Sequence, residues 1–437
     1  MRRLFLALGL AILPALPAAA SPPVERVVSA KGIEAWLVQD HINPIIAMEF
    51  AFRGGSALDP ADRAGLANMV SGLLDEGAGE LDSYAFQKRL EDLSIDLSFS
   101  SGQDSFHGSL KTLTEHRDSA FSMMRIALTQ PRFDDEPVQR IRSQILSGLA
   151  ADLQNPSVVA NRAWFALQFP DHPYGRPVKG TPESVKAITA ADLRAFPAGA
   201  FGRDRLVVSV VGDITAEQLK PLLDQTFGDL PETVGPPAVA VTSPKANGRV
   251  QVIERNNPQS VVVFGHEGIA REDPEWFPAY VMNYILGGGG FSSRLFTEVR
   301  EKRGLAYSVH SALSPFDYAP LIIGGVATAN GRVAESLALI REEWRRMAEH
   351  GPTPAEMDDA KTYLTGSFPL QFDSVGAIAG ILLAMQMDHL GIDYLEKRNA
   401  LIEAVQADDV RKIAKRLLRP DRLAAVVVGQ PDGLATH

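Results

Sequence analysis

The sequence predicts an α+β protein made of two homologous domains. Three observations lead there: a long internal duplication, an amphipathic helical stripe repeated near the start of each half, and apolar strand-like runs around those helices. Residues 204–213 read DRLVVSVVGD and residues 421–430 read DRLAAVVVGQ, identical at six of ten positions with an offset of 217. At the same offset, residues 188–196 (ITAADLRAF) lie over residues 405–413 (VQADDVRKI). Each half therefore ends with an N-capped helix, a turn and an apolar strand. Repeat arrays have periods of about 20–50 residues, so a duplication this long marks two domains.

The chain opens on a segment that does not belong to the fold. Arg2 and Arg3 precede an apolar run over residues 4–16, broken only by Gly9 and Pro14, and Ala18, Ala19 and Ala20 supply a small-residue cleavage pattern. Residues 1–20 thus read as a secretory signal peptide. The run is short for a membrane span of ~20 residues, and no later segment approaches that length. No cysteine stands at the cleavage site, so a lipid anchor is excluded. The expectation is a soluble, exported protein in the periplasm of a Gram-negative bacterium, with no membrane span once the signal is removed. Loss of Arg2 and Arg3 takes the formal net charge from -10 to -12.

The first domain is expected over residues 21–230. An apolar run at 45–52 suits a strand. Leu66, Met69, Val70, Leu73 and Leu74 then fall at i, i+3, i+4, i+7 and i+8, the stripe of an amphipathic helix. A second helix leads into alternating Ile95, Leu97 and Phe99, and a strand and helix follow near 106–124. Residues 231–248, rich in Pro, Val, Ala and Thr, read as a surface linker. The second domain, 249–437, repeats the plan. A strand at 261–264 precedes the stripe Phe277, Tyr280, Val281, Tyr284 and Ile285, then alternating Leu305, Tyr307 and Val309, then a strand and helix over 321–344.

Composition narrows the function. With 437 residues there is room for two to three domains of ~150 residues. There are 43 Lys and Arg against 53 Asp and Glu, which argues against a nucleic-acid partner. With no cysteine, thiol nucleophiles, CxxC redox chemistry, Cys-ligated zinc and disulfides are all excluded. Nine histidines are present and no two stand four apart. His172 and His310 read as structural or sheet residues.

Several motifs recur in order: Phe52-Arg53-Gly54-Gly55-Ser56, Gly65-Leu66-Ala67, His172-Pro173-Tyr174-Gly175, Gly180-Thr181-Pro182-Glu183-Ser184, and LGGGGFSSRLFTEVREKRGLAYSV over 286–309. Through them the mature chain resembles the zinc peptidase family that includes pitrilysin, insulin-degrading enzyme and the mitochondrial processing peptidases. The resemblance implies that each domain is a mixed β-sheet covered by helices, together forming half of a clam-shell chamber. Catalytic members carry HxxEH after the Gly-Leu-Ala step, two His binding zinc and the Glu activating water. Here the matching residues are Asn68, Ser71 and Gly72, and the third ligand position, a Glu in the family, is Gly148. None of these can do the work.

The second half keeps what the first has lost. Arg300 and Tyr307 match the paired Arg and Tyr that the family supplies from its second domain or partner subunit. Their physical role is to donate hydrogen bonds to the scissile carbonyl as it becomes an oxyanion. Arg300 is expected in a last helical turn, Gly304 at the helix stop and Tyr307 on the next strand. The plainer alternative makes Arg300 a partner of the helix dipole and Tyr307 a core aromatic. At an offset of 210 the first half has Leu90 and Leu97, so the fold does not demand the pair. Gly287, Gly288, Gly289 and Gly290 lack the order of a P-loop. The resemblance implies a flexible, substrate-binding loop, and a helix stop is the alternative.

These readings converge on the non-catalytic Arg/Tyr subunit of a two-subunit zinc metallopeptidase. It would bind no catalytic zinc itself, be inactive alone, and act on peptides or unfolded polypeptides with an HxxEH-containing partner that carries the zinc. The rival is a catalytically dead homologue serving as a binding or assembly protein in the cell envelope. A serine hydrolase is the weakest reading, because Ser292 and Ser293 have no nearby His and no GxSxG elbow occurs.

Overall fold

The computed structural model describes residues 23–434. The expected signal peptide at 1–20 lies outside the described residues. Two mixed sheets, one per half, organise the chain. The first contains β1 (Glu25–Val28), β2 (Glu34–Gln39), β3 (Ile45–Arg53), β4 (Asp96–Ser101), β5 (Ser105–Leu113) and β6 (Leu206–Gly212), in the order β1-β2-β6-β3-β5-β4. The second contains β7 (Val250–Glu254), β8 (Gln259–Glu267), β9 (Ala306–Ser314), β10 (Leu321–Ala329) and β11 (Ala424–Gly429), in the order β7-β11-β8-β10-β9. Apart from β1 the sheets match strand for strand. The duplicated DRL strands become β6 and β11, parallel to β2 and β7 and antiparallel to β3 and β8. Residues 231–248 carry no helix or strand.

Every residue of β11 is buried, as are the last five of β6. A strand that apolar along its whole length needs cover on both faces. One face receives its own half's helices. The other receives a helix from the opposite half: Pro156–Gln168 lies on β8 and β11, and Val375–Met387 lies on β3 and β6. This exchange explains why Val375–Met387 (VGAIAGILLAMQM) has almost no polar residue. Trp164 is fully buried against the second sheet, and its Nε1 donates to the Ala424 carbonyl at 3.3 Å. Reciprocally, Ser209 Oγ donates to the Ala379 carbonyl at 2.7 Å, and Arg53 donates to the Gln386 and Met387 carbonyls at 3.1 and 2.8 Å.

The stripe expected over Leu66–Leu74 is only partly helical. The helix runs Leu66–Ser71 and stops at Gly72, and Leu73 and Leu74 bury themselves from the turn that follows. Glycine at that position weakens continuation of the helix. In the second half the matching helix, Trp276–Asn283, passes into a π-helical turn over Tyr284–Gly288. Among the described residues, no helix is long and apolar enough to cross a membrane.

Candidate functional site

The Leu66–Ser71 helix is anchored by groups that the sequence reading did not single out. The Asp59 carboxylate accepts from the backbone N–H of Gly65 at 2.9 Å and of Ala67 at 3.1 Å. It is only 4% exposed, and burial pushes its pKa up to about 7 despite those donors. An acid at the usual N-cap position is a legible signal; one six residues before the first N–H it serves is not. Gly65 (φ +94°) and Gly180 (φ +75°) stand back to back. A Cβ on Gly65 would lie 2.7 Å from the Lys179 carbonyl oxygen, and one on Gly180 would lie 2.1 Å from that of Ala64. Ser184 Oγ donates to the same Ala64 carbonyl at 2.7 Å. The Gly-Leu-Ala and Gly-Thr-Pro-Glu-Ser motifs therefore act as one structural joint.

Asn68, Ser71 and Gly72 lie on this short helix and its cap, and Gly148 lies on the facing helix Asp135–Asp152. The Ser71 hydroxyl is spent on the Asn68 carbonyl at 2.9 Å. A Cβ on Gly148, the expected third ligand position, would meet nothing within 4 Å. One amide and two glycines do not fit a zinc ion, which takes thiolate, imidazole or carboxylate. Among the described residues, no group of three or more His, Asp or Glu could hold a metal ion.

Arg300 and Tyr307 are brought together. Arg300 lies in the π-helical turn Phe296–Glu301; Gly304 (φ +60°) ends it, its N–H donating to the Arg300 carbonyl at 2.8 Å. On β9, Ala306 pairs with Thr328 and Ser308 with Ala327, which leaves Tyr307 as the extra residue of a β-bulge. Bulges re-aim side chains, and both Tyr307 and Ser308 are exposed. The Arg300 guanidinium sits 4.6 Å from the Phe296 ring centre, 4.9 Å from that of Tyr307 and 5.7 Å from that of Phe291. Tyr307 is 76% exposed and Phe291 74%, so Tyr307 is no core aromatic. The neighbouring basic residues are committed: Arg294 to Glu356, and Lys302 and Arg303 to Glu298. Among the described residues no carboxylate pairs with Arg300. The first-half equivalents Leu90 and Leu97 are buried in the core.

The glycine run is a folded turn, where an open loop was expected. Gly287 is buried, and a Cβ there would stand 2.4 Å from Ser311 Oγ and 2.7 Å from Ser311 N. Gly289 N donates to the Tyr284 carbonyl at 2.8 Å, closing the π-turn. Gly288 and Gly290 face solvent beside Phe291. Close packing against β9 is the physical reason for the order.

The His172 loop joins the halves. His172 Nδ1 accepts from Tyr174 N at 3.2 Å, and Nε2 bonds the Ala240 carbonyl at 2.8 Å. Buried Tyr174 donates its hydroxyl to Asp104 at 2.6 Å and accepts from Tyr318 N at 3.0 Å. Burial pushes the Asp104 pKa up to about 6.

The fold is a duplicated α+β chain with Arg300 and Tyr307 brought together in its second half. The comparisons make it a non-catalytic, peptidase-like protein. Residues 187–364 match the peptidase M16 inactive domain. The chain is 28% identical to the non-peptidase homolog YmxG of Helicobacter pylori over 342 residues, 78% of each chain. It is 31% identical to an uncharacterized zinc protease of Mycobacterium bovis over 299 residues, 68% of this chain and 67% of that one. The structure of a peptidase M16 inactive domain from Pseudomonas fluorescens superposes with a TM-score of 0.87 at 29% identity, covering 95% of this chain and 99% of that one. The chain belongs to the M16 peptidase family.

Proposed function

We propose that this protein is the non-catalytic, substrate-binding subunit of a two-subunit exported zinc peptidase. Its heterodimer partner, an HxxEH-containing homologue in the same periplasm, supplies the zinc and the activated water. Arg300 and Tyr307 reach the substrate held in that partner. The observation that carries this reading is a guanidinium with no carboxylate partner among the described residues, cradled by two phenylalanine rings and the ring of the exposed Tyr307, in a chain whose expected ligand positions hold Asn68, Gly72 and Gly148. Both side chains donate hydrogen bonds, and donors are what a developing oxyanion requires. β9 is an edge strand whose Ser311 is covered by Asn283 and Gly287, so an extended peptide would lie along its exposed Tyr307 end. Gly288 and Gly290 let that backbone come close.

The experiment is a steady-state assay of the reconstituted heteromer on a quenched peptide. Tyr307→Phe keeps the ring and removes the hydroxyl, so kcat falls by roughly 10²–10³ with assembly intact. Arg300→Lys keeps the charge but loses the planar fork and is also impaired. Full activity of both variants in an intact complex refutes the reading.

A further inference from the structure

The exchanged helix Pro156–Gln168 packs on β8 and β11 and leaves part of β10 and β9 open beside it. A groove runs there between the helix and the two strands. It consists of one cavity of about 450 Å³ and another of about 290 Å³, and Asn161 and Ile323 border both. Ser308 borders the smaller cavity and Ser314 the larger. Six residues of β9 separate them, about 20 Å at ~3.3 Å per residue. That is the span of about six residues of extended chain.

The two ends differ in chemistry. The smaller cavity is floored by Val261, Val263, Gly325 and Ala327, and His310 is its one ionisable residue. The larger has apolar walls from Leu149, Val158, Phe165 and Phe316, and its charged residues are Asp152, Arg162, Arg176 and Lys179. Asp152 accepts from Lys179 at 3.2 Å, so those two cancel. Arg176 gives one N–H to the Ala57 carbonyl, at a long 3.4 Å. Asp59, the acid that faces it, spends its oxygens on the N–H groups of Gly65 and Ala67. Half-buried Arg162 makes no hydrogen bond, ion pair or ring contact among the described residues. Its charge is therefore uncommitted, at one end of an apolar run. Aligned end to end, the equally long helix Val375–Met387 carries Gly380 and Ile381 where Pro156–Gln168 carries Asn161 and Arg162, so the exchange of helices itself needs neither.

One uncommitted cation beside apolar walls suits a carboxylate carried on an apolar body. The side chains of Ser157, Asn161, Ser308 and His310 are set along the groove, and among the described residues none has a hydrogen-bond partner. An acyl chain would strip them of water and leave them unpaired, whereas a peptide offers each an N–H or a C=O. We propose that this groove binds the carboxyl-terminal segment of an extended polypeptide, with the terminal carboxylate on Arg162 and an apolar last side chain in the larger cavity. The inference rests on the peptide-binding reading above and adds how the substrate's end is held, since the groove opens at Ser308, next to Tyr307.

The test uses the full chain alone and the peptide GSAGAL, labelled with fluorescein at its amino end and made both as the free acid and as the carboxy-terminal amide. Anisotropy should show saturable binding of the acid, with the amide weaker by about tenfold, the loss of a charge-assisted hydrogen bond. Arg162→Ala should erase that preference, and Arg162→Lys should restore part of it. Asn161→Ala should weaken acid and amide alike. Arg162 has no partner to lose, so its melting curves should not move. Unlabelled peptide acid should displace the probe more effectively than decanoate, a carboxylate on an acyl chain. The proposal is overturned by no saturable binding of the acid below about 1 mM, by equal binding of acid and amide, or by equal binding to wild type and Arg162→Ala. Stronger displacement by decanoate than by the peptide overturns it too, making the groove an acyl-carboxylate site. The assay needs no partner subunit, so its failure leaves the heteromer test of Arg300 and Tyr307 standing, and failure of that test leaves this one standing.

Discussion

Trp164→Ala tests whether the exchanged helices make the two halves one cooperative unit. Trp164 is 0% exposed, its ring meets Phe165 edge-on at 5.3 Å, and its Nε1 bonds the Ala424 carbonyl at 3.3 Å. Truncating a buried tryptophan to alanine costs about 3–5 kcal/mol. That range covers the cavity, and the hydrogen bond left unmade at Ala424 adds about 1 kcal/mol. The residue belongs by sequence to the first half but packs on β8 and β11 of the second, so its loss should destabilise both. In urea, followed by far-ultraviolet circular dichroism and by fluorescence, a single transition should persist. With a slope of about 3 kcal/mol/M, its midpoint should fall by about 1.3–2 M. A shift below about 0.3 M, or two transitions of which only one moves, would refute the interlocked arrangement.

Burial gives a pH prediction. The Asp59 pKa is raised from 3.8 to about 7, so between those values the folded state holds a proton that the unfolded state has released. Its contribution to stability is therefore full at low pH and lost as pH rises through about 7. Asp59→Asn should flatten the stability profile between about pH 4 and 7, and a wild-type-minus-variant difference independent of pH in urea titrations would count against the assignment. Two glycines should behave oppositely. Gly148→Ala, helical and open around the Cβ, should raise stability by about 0.5–1 kcal/mol, whereas Gly287→Ala, driven into Ser311, should lower it by about 1–3 kcal/mol, both read as shifts in melting temperature. Elemental analysis after mild dialysis should find no stoichiometric zinc, and a chelator should leave the melting temperature unchanged.

Much of this protein is determined by local sequence. The duplicated DRL strands became β6 and β11 because an uninterrupted apolar run has no stable place except the middle of a covered sheet. Arg300, Gly304 and Tyr307 fell on turn, stop and strand as their spacing indicated, since a helix end at glycine and a following alternation are nearest-neighbour effects. The residues at the expected ligand and base positions, Asn68, Ser71, Gly72 and Gly148, are read directly from the sequence.

Tertiary structure decided the rest. No periodicity announces that helix Pro156–Gln168 covers the other half's sheet, because an apolar face specifies that it must be buried but not against what. The bulge that exposes Tyr307 depends on the register of β10, and the ring cradle of Arg300 on Phe291 folding back over Phe296. Asp59 serves N–H groups six and eight residues on only because a tight loop returns the chain. Pairings between residues distant in sequence are set by the packed whole.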